Sequence, residues 1–188
     1  MKIHFATSNT KKLAVARNAL KPHGIEIEQV NLETPEIQST STAAVARYSA
    51  KYAAEELKMP VIKGDVGFAI EALNNFPGPL VKFINESFSA EQFARLYRDE
   101  TNRRAYFIDA LAYCEPGKEP VCFVSETHGR LVTEPQGDNG ILVDSLFIPD
   151  GHQKTVAALP REEWLALWNN NRFQQLAEYL RTHKGGEV

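Results

Sequence analysis

Thr7-Ser8-Asn9-Thr10-Lys11-Lys12 gathers hydroxyls, an amide and two ammonium groups within six residues. The segment stands between an alternating apolar stretch and a helical pattern. Backbone N–H groups and the dipole at a helix N-terminus favour an anion, so this composition suits a polyphosphate. It is not a Walker A loop, because Gly-Lys-Ser/Thr and the four-residue glycine spacing are missing. An ordinary polar helix cap with solvated lysines would read the same way.

The acids suggest what acts on such an anion. Asp65 follows Pro60-Val61-Ile62-Lys63-Gly64, which reads as a buried strand ending on an acid. α/β enzymes place reactive groups at such strand ends, and a carboxylate there can hold Mg²⁺ or take a proton from water. A strand-end cap is the plainer role. Glu36, in the polar stretch 33–42, offers a second hard oxygen ligand for the same ion, or is a solvated loop acid. Lys82, just past Pro77-Gly78-Pro79, can reach a phosphate or simply face water. Asp144 interrupts the apolar run Ile141-Leu142-Val143-Asp144-Ser145-Leu146-Phe147 and calls for a partner or a turn. Arg172 follows Trp168-Asn169-Asn170-Asn171; consecutive asparagines suit a helix poorly, so they mark a local polar role or a helix break. Trp164 and Trp168, four apart, share one helix face and suit the core.

The elements that must hold these residues can be read from periodicity. Residues 2–6 alternate as a strand, Lys11 to Leu20 repeats at helical spacing until Pro22 and Gly24, and Ile25 to Leu32 alternates again. An Ala-rich helix is expected from Thr42 to Leu57, a strand over 60–65, a turn at Phe76-Pro77-Gly78-Pro79 and a helix from Ala90 to Tyr97. Arg104–Tyr113 and Val121–Leu131 form a hairpin around Glu115-Pro116-Gly117-Lys118. A Gly/Asp loop fills 137–149, and one last helix runs from Pro160 to Arg181 before Gly185-Gly186. Early strand–helix alternation followed by a hairpin gives an α/β class with a mixed sheet.

Composition sets the outer limits. The 188 residues, 43% apolar and 24% charged, fit one domain spanning 1–188 with a proper core. No apolar run reaches the ~18 residues that span a bilayer, and the N-terminus turns polar by Thr7, so a cytoplasmic protein is expected. A net charge of −3 gives no global attraction to nucleic-acid polymer or anionic membrane. Cys114 and Cys122 lack a CxxC or a histidine at ligand spacing, which argues against zinc and iron–sulfur sites; they flank Pro116-Gly117-Lys118 and could face each other across a hairpin, but in a reducing cytosol they are expected as half-buried free thiols.

Together these segments resemble the inosine triphosphate pyrophosphatase family, over almost the whole chain and in order. Thr7-Ser8-Asn9-Thr10-Lys11-Lys12-Leu13-Ala14-Val15 is similar to the family's Thr-Gly-Asn-x-x-Lys-x-x-Glu. Pro35-Glu36-Ile37-Gln38 resembles the segment bearing its metal-binding Glu. Asp65-Val66-Gly67-Phe68, Ala72-Leu73 and Phe76-Pro77-Gly78-Pro79-Leu80-Val81-Lys82 resemble its strongest signature, and Phe147-Ile148-Pro149-Asp150-Gly151 with Thr155 and Leu159-Pro160 fits downstream. Asn171-Arg172-Phe173 with Leu176 looks like the remains of Ser-His-Arg-x-x-Ala-Leu.

The resemblance implies an elongated mixed sheet flanked by helices, two-lobed with a nucleotide cleft between the lobes. It also implies Mg²⁺-dependent hydrolysis of (deoxy)nucleoside triphosphates, modified purine ones foremost, to monophosphate and pyrophosphate, by a homodimer. Asp65 would be catalytic and, with Glu36, would hold Mg²⁺; Thr7, Ser8, Asn9, Lys12, Lys82, Asp144, Asn171 and Arg172 would bind substrate. Backbone amides near Thr7 to Asn9 would add fixed dipoles at the phosphates. The departures fall mostly on base reading. Val15 and Val66 replace a Glu and a Ser or Thr, and Ile141-Leu142-Val143-Asp144 loses an aromatic beside the base. Glu163-Trp164-Leu165 loses a Lys, and Arg172 aligns only if two extra residues precede it. An altered or relaxed base preference follows. The alternatives are a catalytically weak homologue that holds nucleotide as a sensor or partner subunit, and a Maf-like pyrophosphatase, which the Pro77-Gly78-Pro79…Lys82 segment disfavours.

Overall fold

The computed structural model describes residues 1–35 and 37–184, Lys184 as backbone alone. Its sheet runs β2-β1-β3-β5-β6-β7, with β4 pairing β3 off that path. β1 (Lys2–Ala6) and β2 (Glu26–Val30) pair in parallel from Lys2↔Glu26 to Ala6↔Val30, and β1 pairs in parallel with β3 (Val61–Ile70) at His4↔Val61 and Phe5↔Ile62. β4 (Phe76–Gly78) is antiparallel to β3, and β7 (Phe147–Pro149) is antiparallel to β6 (Val121–Leu131). The sheet is therefore mixed, as the early alternation and later hairpin imply. Contacts divide the chain into two units: 1–65 with 109–125 and 165–188, and 66–108 with 126–164.

In the first unit, helix α1 (Thr10–Leu20) buries Leu13, Val15, Ala16, Ala19 and Leu20 on one face. Val15, where the resemblance expects a Glu, is thus a core residue. Pro22 and a left-handed Gly24 (φ 69°) end the pattern in a short 3₁₀ turn. Helix α2 (Thr42–Leu57) starts at Ser41, whose side chain accepts from the Ala44 N–H at 3.3 Å. Alanines make up most of its buried face: Ala46, Ala50, Ala53 and Ala54 cluster with Ala6, Val61, Ala110, Ala112 and Cys114. Small residues on helix and strands let the two approach closely. α2 also grips the loop between β5 (Arg104–Cys114) and β6. Arg47 donates to the Pro120 carbonyl at 2.8 Å, Glu55 accepts from the Gly117 N–H at 2.6 Å, and Lys51 pairs with Glu119.

The second unit is built around aromatic rings. Phe68, Phe107 and Phe147 meet with centroids 4.7, 5.5 and 5.2 Å apart, all fully or nearly fully buried; such tilted and edge contacts suit the ring quadrupole. Tyr97 donates its hydroxyl to the Val132 carbonyl at 2.7 Å. Gly129 pairs with Pro149, and a Cβ there would meet the Ile148 carbonyl oxygen at 2.3 Å, so β7 can lie on β6 only because this residue is glycine.

Several expectations need correction. The strand expected to end at Asp65 continues to Ile70, because Phe68 to Ile70 find a new partner in β4. Phe76-Pro77-Gly78, expected as a turn, is that partner, with a cis Phe76–Pro77 bond. Helix α3 (Val81–Ser87) is additional, and the helix expected over Ala90–Tyr97 shortens to α4 (Ala90–Ala94), with Ser89 and Gln92 forming a reciprocal cap. The last helix is two: α5 (Arg161–Trp168) and α6 (Asn171–Lys184), broken at the asparagines. Trp168 is buried and Trp164 half-buried. The hairpin strands stand as expected but inside the sheet, β5 between β3 and β6; β7 covers β6 only over Gly129–Leu131. Both cysteines are free thiols. Gly185-Gly186 lies outside the described residues.

Candidate functional site

The loop after β1 is held by its own side chains. The Thr7 N–H donates to the Val30 carbonyl at 3.1 Å and its carbonyl accepts from Gln29 Nε2 at 2.9 Å, so Thr7 is tied to β2 and buried. The Thr7 hydroxyl accepts from the Asn9 N–H at 3.1 Å. Asn9 Oδ1 in turn accepts from the Lys11 and Lys12 N–H groups at 2.9 and 3.1 Å, making Asn9 the N-cap of α1. The Thr7 and Asn9 amides, expected to face the phosphates, are therefore already engaged. What this loop presents outward is side-chain chemistry, with Ser8, Asn9 and Lys11 exposed.

Lys12 turns back from α1 to β3. Its Nζ donates to the Gly64 carbonyl at 2.9 Å, one residue before Asp65. The β1–β3 ladder stops at Phe5↔Ile62, so Gly64 and the half-buried Asp65 lie past its C-terminal end, on the same side as the Thr7–Asn9 loop. The strand goes on past Asp65, but its parallel partner does not. Gly64 lies against the Phe5 ring, the Ala110 carbonyl and the Leu111 side chain.

On β5 next to Ala110 is a residue the sequence reading passed over. Asp109 is 4% exposed, and Arg172, at the start of α6, is 8% exposed. Arg172 Nη1 stands 3.3 Å from Asp109 Oδ2, and Asn170 Nδ2 donates to the same oxygen at 3.3 Å. The Arg172 N–H donates to the Ser125 hydroxyl at 2.9 Å, and its guanidinium lies 4.5 Å from the Phe173 ring centroid. Burial pushes the Asp109 carboxyl up, against the pull of Arg172, Lys12 and the Asn170 hydrogen bond; burial likewise lowers Arg172, against the pull of Asp109. The asparagines therefore do both things they suggested. They break the helix and supply a polar contact, while Asn171 stays exposed. The overlooked signal was a lone acid in the apolar run Ile108-Asp109-Ala110-Leu111.

Lys82 and Asp144 belong to the second unit. Lys82 is exposed in the first turn of α3. Asp144 is 8% exposed, and its Oδ2 accepts from the Ile141 N–H at 2.9 Å, which closes the 3₁₀ turn Leu142–Ser145 beside Gly140. Glu36 lies outside the described residues. Among the described residues no group of three or more His, Cys, Asp or Glu gathers as a ligand set. Among the described residues Asp65 offers a hard oxygen past the ladder's end, which fits Mg²⁺, since that ion uses one or two carboxylates with water and phosphate oxygens.

Fold and side chains together define an α/β protein in which Lys12 bonds the strand carrying Asp65 past the end of a parallel ladder, with a buried Asp109–Arg172 pair in the same unit. Residues 3–174 match the model of the Ham1 family. The chain is 41% identical to a dITP/XTP pyrophosphatase of Methanopyrus kandleri, over 99% of this chain and 100% of that protein. It is 32% identical to a dITP/XTP pyrophosphatase of Thermococcus kodakarensis, over 96% and 98%. Its fold is similar to the Staphylococcus aureus Ham1 protein, with a TM-score of 0.81, 23% identity and coverage of 97% and 99%. The chain belongs to the Ham1 family. Among the described residues no helix is long and apolar enough to cross a membrane.

Proposed function

We propose that this chain hydrolyses (deoxy)nucleoside triphosphates, modified purine ones foremost, to the monophosphate and pyrophosphate. Its relatives' names and the near full-length likeness to them support the reading. The single structural observation behind it is the Lys12 Nζ bond to the Gly64 carbonyl, which brings an ammonium beside the residue preceding Asp65.

In this reading a water oxygen bonds to the α-phosphorus, the bond from that phosphorus to the bridging oxygen breaks, and pyrophosphate leaves. Asp65 takes the proton from the water, directly or through a second water. Asp65 and Glu36 would hold Mg²⁺, which when bound neutralises phosphate charge and aligns the leaving group. Lys12 and Lys82 balance the polyphosphate, with Thr7, Ser8 and Asn9 lining its approach. Preorganised charge of this kind carries most of the work in phosphoryl transfer. Asp144, Asn171 and Arg172 would complete the substrate site; because Asp144 and Arg172 already bond within the protein, the base preference is altered or relaxed. A homodimer in the cytoplasm completes the proposal.

The test is pyrophosphate release across a panel of standard and deaminated nucleoside triphosphates with Mg²⁺. Release from at least one of them is expected. Silence on all of them overturns the reading.

A further inference from the structure

We propose that the carboxamides of Asn169, Asn171 and Gln174 read the nucleobase in a cleft between the end of α1 and the start of α6, with Asp109 and Ser125 as the positioning residues that fix this wall. This rests on the nucleotide reading above.

Three observations carry it. The first is the chemistry of the cleft. It encloses about 330 Å³, and its polar lining is His23, Asn169, Asn170, Asn171 and Gln174. Among the described residues no carboxylate, lysine or arginine lines it, which argues against a phosphate or a hard metal ion there. A carboxamide sets a donor beside an acceptor, as the edge of a purine ring does, and an imidazole offers a flat face for stacking. Turning the carboxamide over exchanges donor and acceptor, so a 6-keto and a 6-amino edge both fit. The second observation is that the sheet anchors this wall. Asn170 Nδ2 donates to Asp109 Oδ2 at 3.3 Å, and Arg172 Nη1 stands 3.3 Å from the same oxygen. The Arg172 N–H donates to the Ser125 hydroxyl on β6 at 2.9 Å. Asn171 lies between two anchored residues and is exposed, as are Asn169 and Gln174. Gln174 Nε2 donates to Glu178 at 3.1 Å, which orients its carboxamide. Consecutive asparagines suit a helix poorly, yet the break they make is held fast, and a preorganised wall lowers the cost of binding. Third, α1 joins the cleft to the phosphate end. Lys12 stands in its first turn and Ala19, which also lines the cleft, in its last. They lie about 10 Å apart along the axis at ~1.5 Å per residue, a distance that one nucleoside triphosphate spans.

The experiment is calorimetry with Mg²⁺ and three probes. Two are the α,β-methylene analogues of ITP and ATP, which resist cleavage; the third is inorganic tripolyphosphate, which has the phosphates but no base. Wild type should bind both analogues, each at least tenfold tighter than tripolyphosphate. Asn169→Ala/Asn171→Ala should weaken the analogues at least tenfold and leave tripolyphosphate within twofold. Ser125→Ala should weaken the analogues at least threefold with tripolyphosphate again unchanged, and Ser125→Thr, which keeps the hydroxyl, should restore them. Asp109→Asn should give the same selective loss; if it does not fold, the two Ser125 variants decide the positioning role. A merely structural role would weaken analogues and tripolyphosphate alike, which overturns the inference. So does an analogue affinity that any of these alanine variants, or a folded Asp109→Asn, leaves at the wild-type value. A wild type that binds the analogues as expected but releases no pyrophosphate from any nucleoside triphosphate defeats the function reading, and the same calorimetry still decides the cleft. A wild type that binds neither analogue overturns both.

Discussion

Each unit contains an arginine–aspartate pair, and the two behave in opposite ways. In the first, Arg172 and Asp109 meet at 3.3 Å with side chains 10% and 5% exposed. In the second, Arg104 and Asp150 make two parallel bonds of 2.8 Å with side chains 43% and 55% exposed. The better geometry belongs to the solvated pair. Burial drives the Asp109 carboxyl up, while the Arg104 hydrogen bond draws that of Asp150 down. Geometry alone does not decide what an ion pair contributes; desolvation does. Arg172 and Asp109 are taken out of water, whereas Arg104 and Asp150 stay in it.

If that contrast is right, the largest effects of substitution fall in the first unit. In the proposed mechanism, Asp65→Asn keeps the shape but removes the base and a metal ligand together. Pyrophosphate release should fall by several orders of magnitude, since general-base help alone is typically worth ~10²–10⁴. Nucleotide affinity by calorimetry should fall much less, and a variant as fast as wild type would remove Asp65 from the site. Next comes Asp109→Asn, which strands a buried guanidinium. Breaking such a pair typically costs about 3–5 kcal/mol, to be read as a shift in urea midpoint; a midpoint matching wild type would mean the pair contributes no more than a surface one.

A smaller effect concerns the base. Asp144 closes a turn and Arg172 faces Asp109, so both are engaged within the protein. We expect kcat/KM for ITP to exceed that for ATP by less than ~10², below the ~10⁴ that a dedicated hydrogen-bonding site reaches. A larger ratio would show that base reading is intact.

The pairs also differ in their dependence on pH. Asp109 is raised on folding, so across the window from the ordinary Asp value up to its raised one the native state binds more protons. Its share of stability therefore falls as pH rises through that window and is flat above it. Asp150 is lowered, so its share is present above the ordinary Asp range and fades as pH falls below it. Melting curves of Asp150→Asn and of Asp109→Asn/Arg172→Gln against pH should diverge from wild type in these opposite senses. The smallest effect is Arg104→Gln, whose Tm at physiological salt should be indistinguishable from wild type, because exposed pairs are screened.

What could be read from the sequence follows from how local each signal is. α1, α2 and the hairpin strands carry complete periodic patterns with their own caps, so periodicity finds them. β4 does not: Phe76-Pro77-Gly78 looks like a turn, and it is a strand only because Phe68 to Ile70 run alongside. Likewise Asp65 is mid-strand, since the extension depends on a partner that arrives later in the chain. In the candidate site, Lys12 and Asp65 could be found from position after a strand, as neighbours of a loop or a terminus. Asp109 could not. Its meaning depends on Arg172, sixty-three residues away in sequence and next to it in space. The helix break was signalled by the asparagines, but the anchor on the Ser125 hydroxyl was not.

The grip of α2 on the hairpin loop has a practical side. A short exposed loop joining two strands is ordinarily where a chain accepts a tag, a nick or new termini. Here residues 117–120 are held by Arg47, Lys51 and Glu55, one helical turn apart along α2. An epitope or fluorophore spliced into this loop would cut the links that seat the helix on its alanine face. A probe placed there would report on its own damage rather than on the protein.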